Sequence, residues 1–176
     1  AALKLARQYF VEIDQPKRCH VIARRQSYHG NTLGALAAGG NQWRRKQFEP
    51  LLVETSLIAP CYSYRDQRDD ETPEAYGRRV ADALEAEILS VGVENVLAFI
   101  AEPVQGAGGV IVPPESYWPE VKRILDDRDI LLISDEVICG FGRTGDWFGF
   151  ETYGIEPDLV TFAKAVTNGY MPLGGC

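Results

Sequence analysis

Little in this chain could hold a metal. Its 176 residues include two histidines, His20 and His29, and four widely separated cysteines, Cys19, Cys61, Cys139 and Cys176. No C-x-x-C occurs, so neither a zinc site nor a disulfide framework is expected; free thiols in a reducing, cytoplasmic compartment fit the pattern. Positive charge is short too. The 18 Lys and Arg against 25 Asp and Glu leave a net charge of -7, which argues against a nucleic-acid or anionic-membrane partner. No apolar run approaches the ~20 residues of a membrane-spanning helix, and AALKLARQYF reads as an amphipathic helix in progress rather than a signal peptide. Internal repeats, low-complexity tracts and flexible linkers are missing as well. What remains is 45% hydrophobic and 24% charged, a globular composition at a length that suits one domain with a real core.

Two places share one local grammar. The apolar run Ile130 to Ile133 leads to Asp135 and the loop CGFGRTG, and Leu159 to Ala163 ends in Lys164 and TNGYMPLGG. Continuous runs of this kind are expected as strands buried on both faces of a parallel sheet, and ligands bind at the carboxyl ends of such strands. Asp135 and Lys164 are therefore both expected at a ligand crevice. A buried anion needs a cationic partner, and a partly desolvated lysine becomes a nucleophilic amine. Together they suit pyridoxal phosphate (PLP): the lysine forms the Schiff base, and the aspartate keeps the pyridine nitrogen protonated so that the ring draws electrons.

In chain order, residues 1 to about 13 have helical spacing, closed by Gln15-Pro16. His20 to Ala23 is a strand candidate, after which Tyr28, His29 and Gly30 stand at a strand-to-helix junction with Asn31 or Thr32 as N-cap. Trp43 to Leu52 is mixed and basic, and Ser56 to Thr72 reads as loop. Thr72 caps a helix with Pro73 in its first turn and Tyr76, Val80, Leu84 and Ile88 every four residues. Val96 to Ala101 is an apolar strand ended by Glu102-Pro103, and the glycines of QGAGG form a tight turn. Ser116 opens a helix with Trp118, Val121 and Leu125 on one face, which completes a βαβ unit with the 130–134 strand. Asp158 to Ala163 is the last strand.

Each candidate has an ordinary alternative. Lys164 could be a solvated surface charge and Asp135 a cap for the next turn, with Glu136 as the surface partner of that pair. Glu102, a third carboxylate at a strand end, pairs either with backbone or arginine, or stands behind the cofactor's contacts. Tyr28 could stack a flat heteroaromatic ring or be a half-buried core tyrosine. GFGRTG (140–145) matches G-x-G-x-x-G, but neither a following helix nor the acidic residue of a dinucleotide site is present.

SYHG (27–30), AEPVQGAGGVIVPP (101–114), SDEVICGFGRTGDWF (134–148) and AKAVTNGYMPLGG (163–175) resemble, in order and spacing, the class III aminotransferases. These are PLP enzymes of fold type I. The resemblance implies an α/β fold, the large domain of these enzymes, with a mostly parallel mixed sheet and helices on both faces. It implies pyridoxal 5'-phosphate on Lys164, Asp135 at the pyridine nitrogen, Tyr28 and Val137 on opposite faces of the ring, and Glu102 bracing the Asp135 side. It also implies a homodimer with its active site at the interface. A phosphate cup before Ala1 and a small C-terminal domain after Cys176 would complete the enzyme, so residues 1–176 are expected to be part of a large domain.

Ala107 and Ile138 stand where members acting on ornithine or 4-aminobutyrate usually carry glutamate and glutamine. The chain thus resembles the branch that moves an amino group from an ω-amine, diamine, β-alanine or taurine donor to pyruvate or another 2-oxo acid. An aminomutase or amino-acid racemase on the same fold, and an inactive fragment, stay open.

Overall fold

The computed structural model describes residues 1–176. Helix α1 (Ala2–Glu12) precedes strand β1 (His20–Arg24), and two short helices, α2 (Leu33–Ala38) and α3 (Gln42–Arg45), follow. Next come β2 (Ser56–Ile58), the single turn α4 (Ser63–Asp66), the long helix α5 (Pro73–Val91) and β3 (Val96–Ala101). Helix α6 (Tyr117–Asp126), β4 (Leu131–Asp135), the single turn α7 (Gly149–Thr152) and β5 (Leu159–Thr161) complete the chain.

Local chemistry accounts for these elements. The Thr72 hydroxyl accepts from the Ala75 N–H at 3.2 Å and Pro73 occupies the first turn of α5. Gly92 ends the helix at φ +89°, a conformation that favours glycine. Tyr76, Val80, Leu84 and Ile88 are all buried, as their spacing predicts. In α6 the residues Tyr117, Trp118, Val121 and Leu125 are buried. Gly77 lies tight against the start of α6: a Cβ there would lie 2.3 Å from Ser116 Oγ and 3.2 Å from the Tyr117 nitrogen.

The strands form one five-stranded sheet in the order β2-β1-β3-β4-β5, and every pairing is parallel. Alternation along a strand sends side chains to two cores. Phe99 and Ala101 join Ile22 and Leu132 under α5 and α6, whereas Ala98 and Ile100 join Ala23 and Ile133 under α1. Helices therefore cover both faces, and β3, buried at all six residues, is the centre of the sheet.

Two segments differ from their sequence pattern. Ser56 to Thr72, expected as loop, holds β2 and α4. Three residues are too few to show a period, and β2 is defined by its parallel register with Ile22, Ala23 and Arg24. The last strand is Leu159–Thr161, shorter than the apolar run. It lies at the sheet edge, and none of the residues from Leu159 onward is buried.

Candidate active site

Buried polar side chains are concentrated at one end of the sheet. Arg24 and Ser27 follow β1, Glu102 and Gln105 follow β3, and Ser134, Asp135 and Glu136 close β4; all are buried, and of the remaining buried polar residues there is only Arg18, at the opposite end. Register places these groups side by side, because Ala101 pairs with Ser134 and Asp135 with Thr161.

Asp135 is 4% exposed and faces a cavity of about 570 Å³ that is also lined by His29, Ile100, Val137 and Thr161. Its Oδ2 accepts from His29 Nδ1 at 2.7 Å and its Oδ1 from the Val137 N–H at 3.2 Å. A carboxylate only accepts, so Nδ1 carries the imidazole proton in this pair. The other ring nitrogen, Nε2, is buried without a partner. No lysine or arginine neutralises Asp135, whose one ion-pair partner is His29. A buried carboxylate of this kind, open to a cavity and lacking a permanent cation, fits a ligand that brings its own positive charge, such as a protonated pyridine nitrogen.

Glu102 is 3% exposed and braces two loops. Its Oε2 accepts from the Gly106 N–H at 2.8 Å and its Oε1 from the Tyr28 N–H at 3.3 Å, which ties the loop after β3 to the one after β1. Burial raises the Glu102 pKa above the ordinary 4.5, while His29, Arg24 and the two amides pull it down. Arg24 lies over the rings of Tyr117 and Trp118 and donates to the Glu102 carbonyl, which fixes the end of β3 from below.

Glu136, expected at the surface, is fully buried. It shares the strand face of Ser134, whose hydroxyl donates to Oε1 at 3.0 Å. The chain returns at α7, so that the N–H groups of Gly149 and Phe150 donate to Oε2 and Oε1 at 2.8 and 2.9 Å. Glu136 thus closes the GFGRTG loop onto the strand that carries Asp135.

The sequence-predicted residues do not all meet. Asp135 and Val137 share the first cavity, and Glu102 stands behind it. Tyr28 lines a second cavity of about 830 Å³ with Gly30, Asn31, Leu36, Trp43 and Arg44. Residues 28–36 form the wall between the two, since His29, Thr32, Gly34 and Ala35 face the first. Lys164 lines neither cavity. It begins a 3₁₀ turn, Lys164–Val166, just after β5, with φ +47°, a left-handed conformation unusual for a side-chain-bearing residue. The partial desolvation expected of it is not found: Lys164 is exposed, and the three residues of the edge strand before it are only half-buried. Its loop nevertheless starts beside Asp135, and the Phe162–Gly175 bridge folds residues 163–174 back over that end of the sheet.

Sequence reasoning assigned no role to His29, Arg24 or Arg44. His29 had one signal, its position in SYHG at the end of β1. A buried arginine amid RR has none.

The family described as "Aminotransferase class-III" matches residues 1–176. The putrescine–pyruvate aminotransferase of Pseudomonas aeruginosa is 49% identical over 173 residues, covering 98% of this chain and 38% of that protein. A chloroplastic gamma aminobutyrate transaminase 3 of Solanum lycopersicum is 46% identical over 175 residues, 98% of this chain and 33% of its own length. The omega transaminase from Pseudomonas jessenii, solved in complex with PMP, superposes with a TM-score of 0.95 at 37% identity, over 98% of this chain and 38% of that one. The chain therefore spans between about a third and two fifths of the length of these relatives. A family match over every residue and near-complete superposition on a solved transaminase lead to one conclusion: the chain belongs to the class III aminotransferases, and its α/β sheet is that of the PLP-dependent fold type I enzymes.

Proposed function

We propose that the polypeptide carrying residues 1–176 is a PLP-dependent aminotransferase that moves an amino group from an ω-amino donor, of the diamine, amine, β-alanine or taurine type, to pyruvate or another 2-oxo acid. The observation that carries this reading is Asp135, a buried carboxylate facing a cavity at the carboxyl end of β4, held by His29 and the Val137 amide. When bound, PLP supplies an electron sink for the bonds at the carbon bearing the amino group. Asp135 would hold the protonated ring nitrogen, His29 keeps Asp135 oriented, and Val137 presents an apolar side chain to the same cavity. Tyr28 would lie against the ring, and Glu102 fixes the backbone on which Tyr28 stands. Lys164 is the amine that would hold the cofactor covalently and move a proton at the amine-bearing carbon.

The donor class is supported by the putrescine–pyruvate relative and by Ala107 and Ile138. The relative described as a gamma aminobutyrate transaminase, 46% identical, supports a donor that carries an acid group away from its amine, as β-alanine and taurine do. A homodimer is supported by exposed apolar side chains on the segments that follow β1 and β5, with Trp43 82%, Tyr170 88% and Met171 69% exposed. A cytoplasmic location is supported by cysteines that stay separate thiols, with burial pushing Cys61 up to about 12 and Cys139 up to about 11.

The test uses the longest natural polypeptide containing residues 1–176, loaded with PLP. Alanine should form from pyruvate with putrescine or β-alanine as donor, and the cofactor's absorption band should change with donor alone and return with pyruvate. Activity confined to α-amino acids, or no exchange with any donor, would refute the reading.

A further inference from the structure

Three carboxylates are buried at the carboxyl end of the sheet, Glu102, Asp135 and Glu136, against one arginine, Arg24. Asp135 has His29, and Glu136 has the Ser134 hydroxyl and two amides. Arg24 touches no carboxylate, whereas Arg65, Arg79, Arg123 and Arg128 are each matched to one. Its Nη2 donates to the Glu102 carbonyl, and its Nε is buried without an acceptor. The guanidinium carbon stands 5.9 and 5.5 Å from the ring centroids of Tyr117 and Trp118. A buried cation bonded so incompletely is costly, and an apolar side chain in its place would avoid that cost. The charge itself therefore has a use.

That charge stands next to Glu102. Arg24 holds the Glu102 carbonyl, and Trp118 Nε1 donates to the carbonyl that follows, of Pro103, at 3.0 Å. Both oxygens of the Glu102 side chain act as acceptors, for the Gly106 N–H at 2.8 Å and the Tyr28 N–H at 3.3 Å. A protonated carboxyl would turn one of these acceptors into a donor, and an amide would then face an O–H. The longer bond, to Tyr28, is the weaker of the two and the one to be lost. Burial pushes Glu102 toward protonation, while His29 and Arg24 oppose it. The other titratable groups nearby are Cys139, which follows β4, and Asp135, behind His29. His29 can lose its charge and has its Nδ1 proton engaged by Asp135, so Arg24 is the permanent cation of the group.

We propose that Arg24 is a positioning residue for the cofactor pocket: its guanidinium keeps both oxygens of Glu102 acting as acceptors, and the Tyr28 amide so held sets the reach of His29 to Asp135. The inference rests on the aminotransferase reading above, in which Asp135 meets the cofactor's ring nitrogen. Arg24 itself lines neither cavity and acts through Glu102 and the backbone of residue 28, the last step before His29.

The experiment uses the longest natural polypeptide containing residues 1–176, first without PLP, as wild type, Arg24→Met, Arg24→Lys and Glu102→Gln. Infrared difference spectra across a pH titration follow the carboxylic-acid C=O band that Glu102→Gln removes. Its midpoint should lie at higher pH in Arg24→Met than in wild type, and Arg24→Lys, which keeps the charge, should bring it back. An arginine that only fills space would leave the midpoint unmoved, and that result overturns the proposal. The Kd for PLP, read from cofactor absorbance, should weaken about 10-fold in Arg24→Met, the scale of one hydrogen bond to a charged group. The loss should be larger at about pH 6 than at about pH 8, where Glu102 ionises again. In the Glu102→Gln background the same substitution should change Kd by less than about twofold. An equal loss in both backgrounds assigns Arg24 to packing and overturns the proposal, as does a Glu102→Gln variant that binds PLP like wild type. Arg24→Gln, neutral but able to donate to the Glu102 carbonyl, replaces Arg24→Met should the latter not fold. A wild type that binds no PLP refutes the cofactor reading instead, and the infrared midpoints still decide what Arg24 does to Glu102.

Discussion

Removing the Glu136 carboxylate tests whether the strand that carries Asp135 depends on a buried anion. Its carboxylate receives the Gly149 and Phe150 N–H groups at 2.8 and 2.9 Å and the Ser134 hydroxyl at 3.0 Å, and no part of it is exposed. Glu136→Ala strands two buried backbone donors, each costing about 1–3 kcal/mol, so a loss of about 4 kcal/mol is expected. Glu136→Gln keeps one acceptor but turns an amide donor toward the other N–H, and a loss of about 2 kcal/mol follows, partly offset by removing a buried charge. Both variants also differ from the wild type in pH behaviour. Burial, the dominant cause, raises the Glu136 pKa above 4.5 against the pull of its hydrogen bonds. Between 4.5 and that raised value the folded chain holds more protons than the unfolded one, so the contribution is full below 4.5 and is lost as pH rises through the folded value. Glu136→Gln lacks this slope, so its deficit against wild type should be largest near pH 4.5 and narrow toward neutrality. Urea unfolding read by the buried Trp118 at pH 4.5 and at about pH 7 measures both. A deficit that widens with pH, or equal costs for the two variants, would refute the reasoning.

Three further outcomes are expected. Lys164→Ala in the longest natural polypeptide should cut amino transfer from putrescine to pyruvate by about 10³-fold or more, the scale of a lost proton-transfer group, measured as alanine formed. Gly77→Ala should destabilise by about 1–3 kcal/mol despite alanine's better helix propensity, because its Cβ would meet Ser116 Oγ and the Tyr117 nitrogen. Adding Ser116→Ala should recover part of that loss in urea midpoint. Glu71, held down to about 2 by Arg79, contributes stability that is present above 4.5 and fades from there toward pH 2. The thermal-midpoint deficit of Glu71→Gln should therefore shrink as pH falls through that window.

How far the sequence foretold this depends on the length over which a pattern could show itself. The helix Pro73–Val91 carries its own cap, proline and four-residue apolar period, and the strand Val96–Ala101 is apolar throughout, so both stand in the structure where the sequence places them. β2 escaped notice because three residues cannot display a period and its register is defined by β1. Asp135 was legible because a charge that ends an apolar run is conspicuous. Glu136 was misjudged for a related reason. Adjacent residues on a strand point to opposite faces, and a partner for the second face, the Gly149–Phe150 amides, comes from a part of the chain 13 residues on. The His29–Asp135 pair, 106 residues apart, and the seating of Arg44 on Tyr28 are tertiary facts that no local pattern encodes.

The distribution of unfavourable features points to the same edge of the sheet as the chemistry. Buried charge is costly unless paired, yet Arg24, Glu102, Asp135 and Glu136 all cluster after β1, β3 and β4. Backbone strain follows them: among side-chain-bearing residues at positive φ, Gln26, Val110, Phe141, Lys164 and Asn168 lie in the carboxyl-end loops, against Asp14 and Asp129 at the amino end. Each such residue costs on the order of 1 kcal/mol or more. A chain optimised for stability alone would place neither the charges nor the strain at one end, where their penalties add. The amino end has the same strands to connect and does so with a single buried polar side chain, Arg18, bonded to the Val96 and Arg128 carbonyls. Sheet topology therefore cannot be the cause of the asymmetry. The carboxyl end holds these groups because a ligand is to meet them there, and its binding should return part of the cost. Stabilisation by PLP of the longest natural polypeptide should accordingly be large in wild type and reduced in Asp135→Asn. An equal rise in thermal midpoint for both would break the link between the buried charges and the ligand.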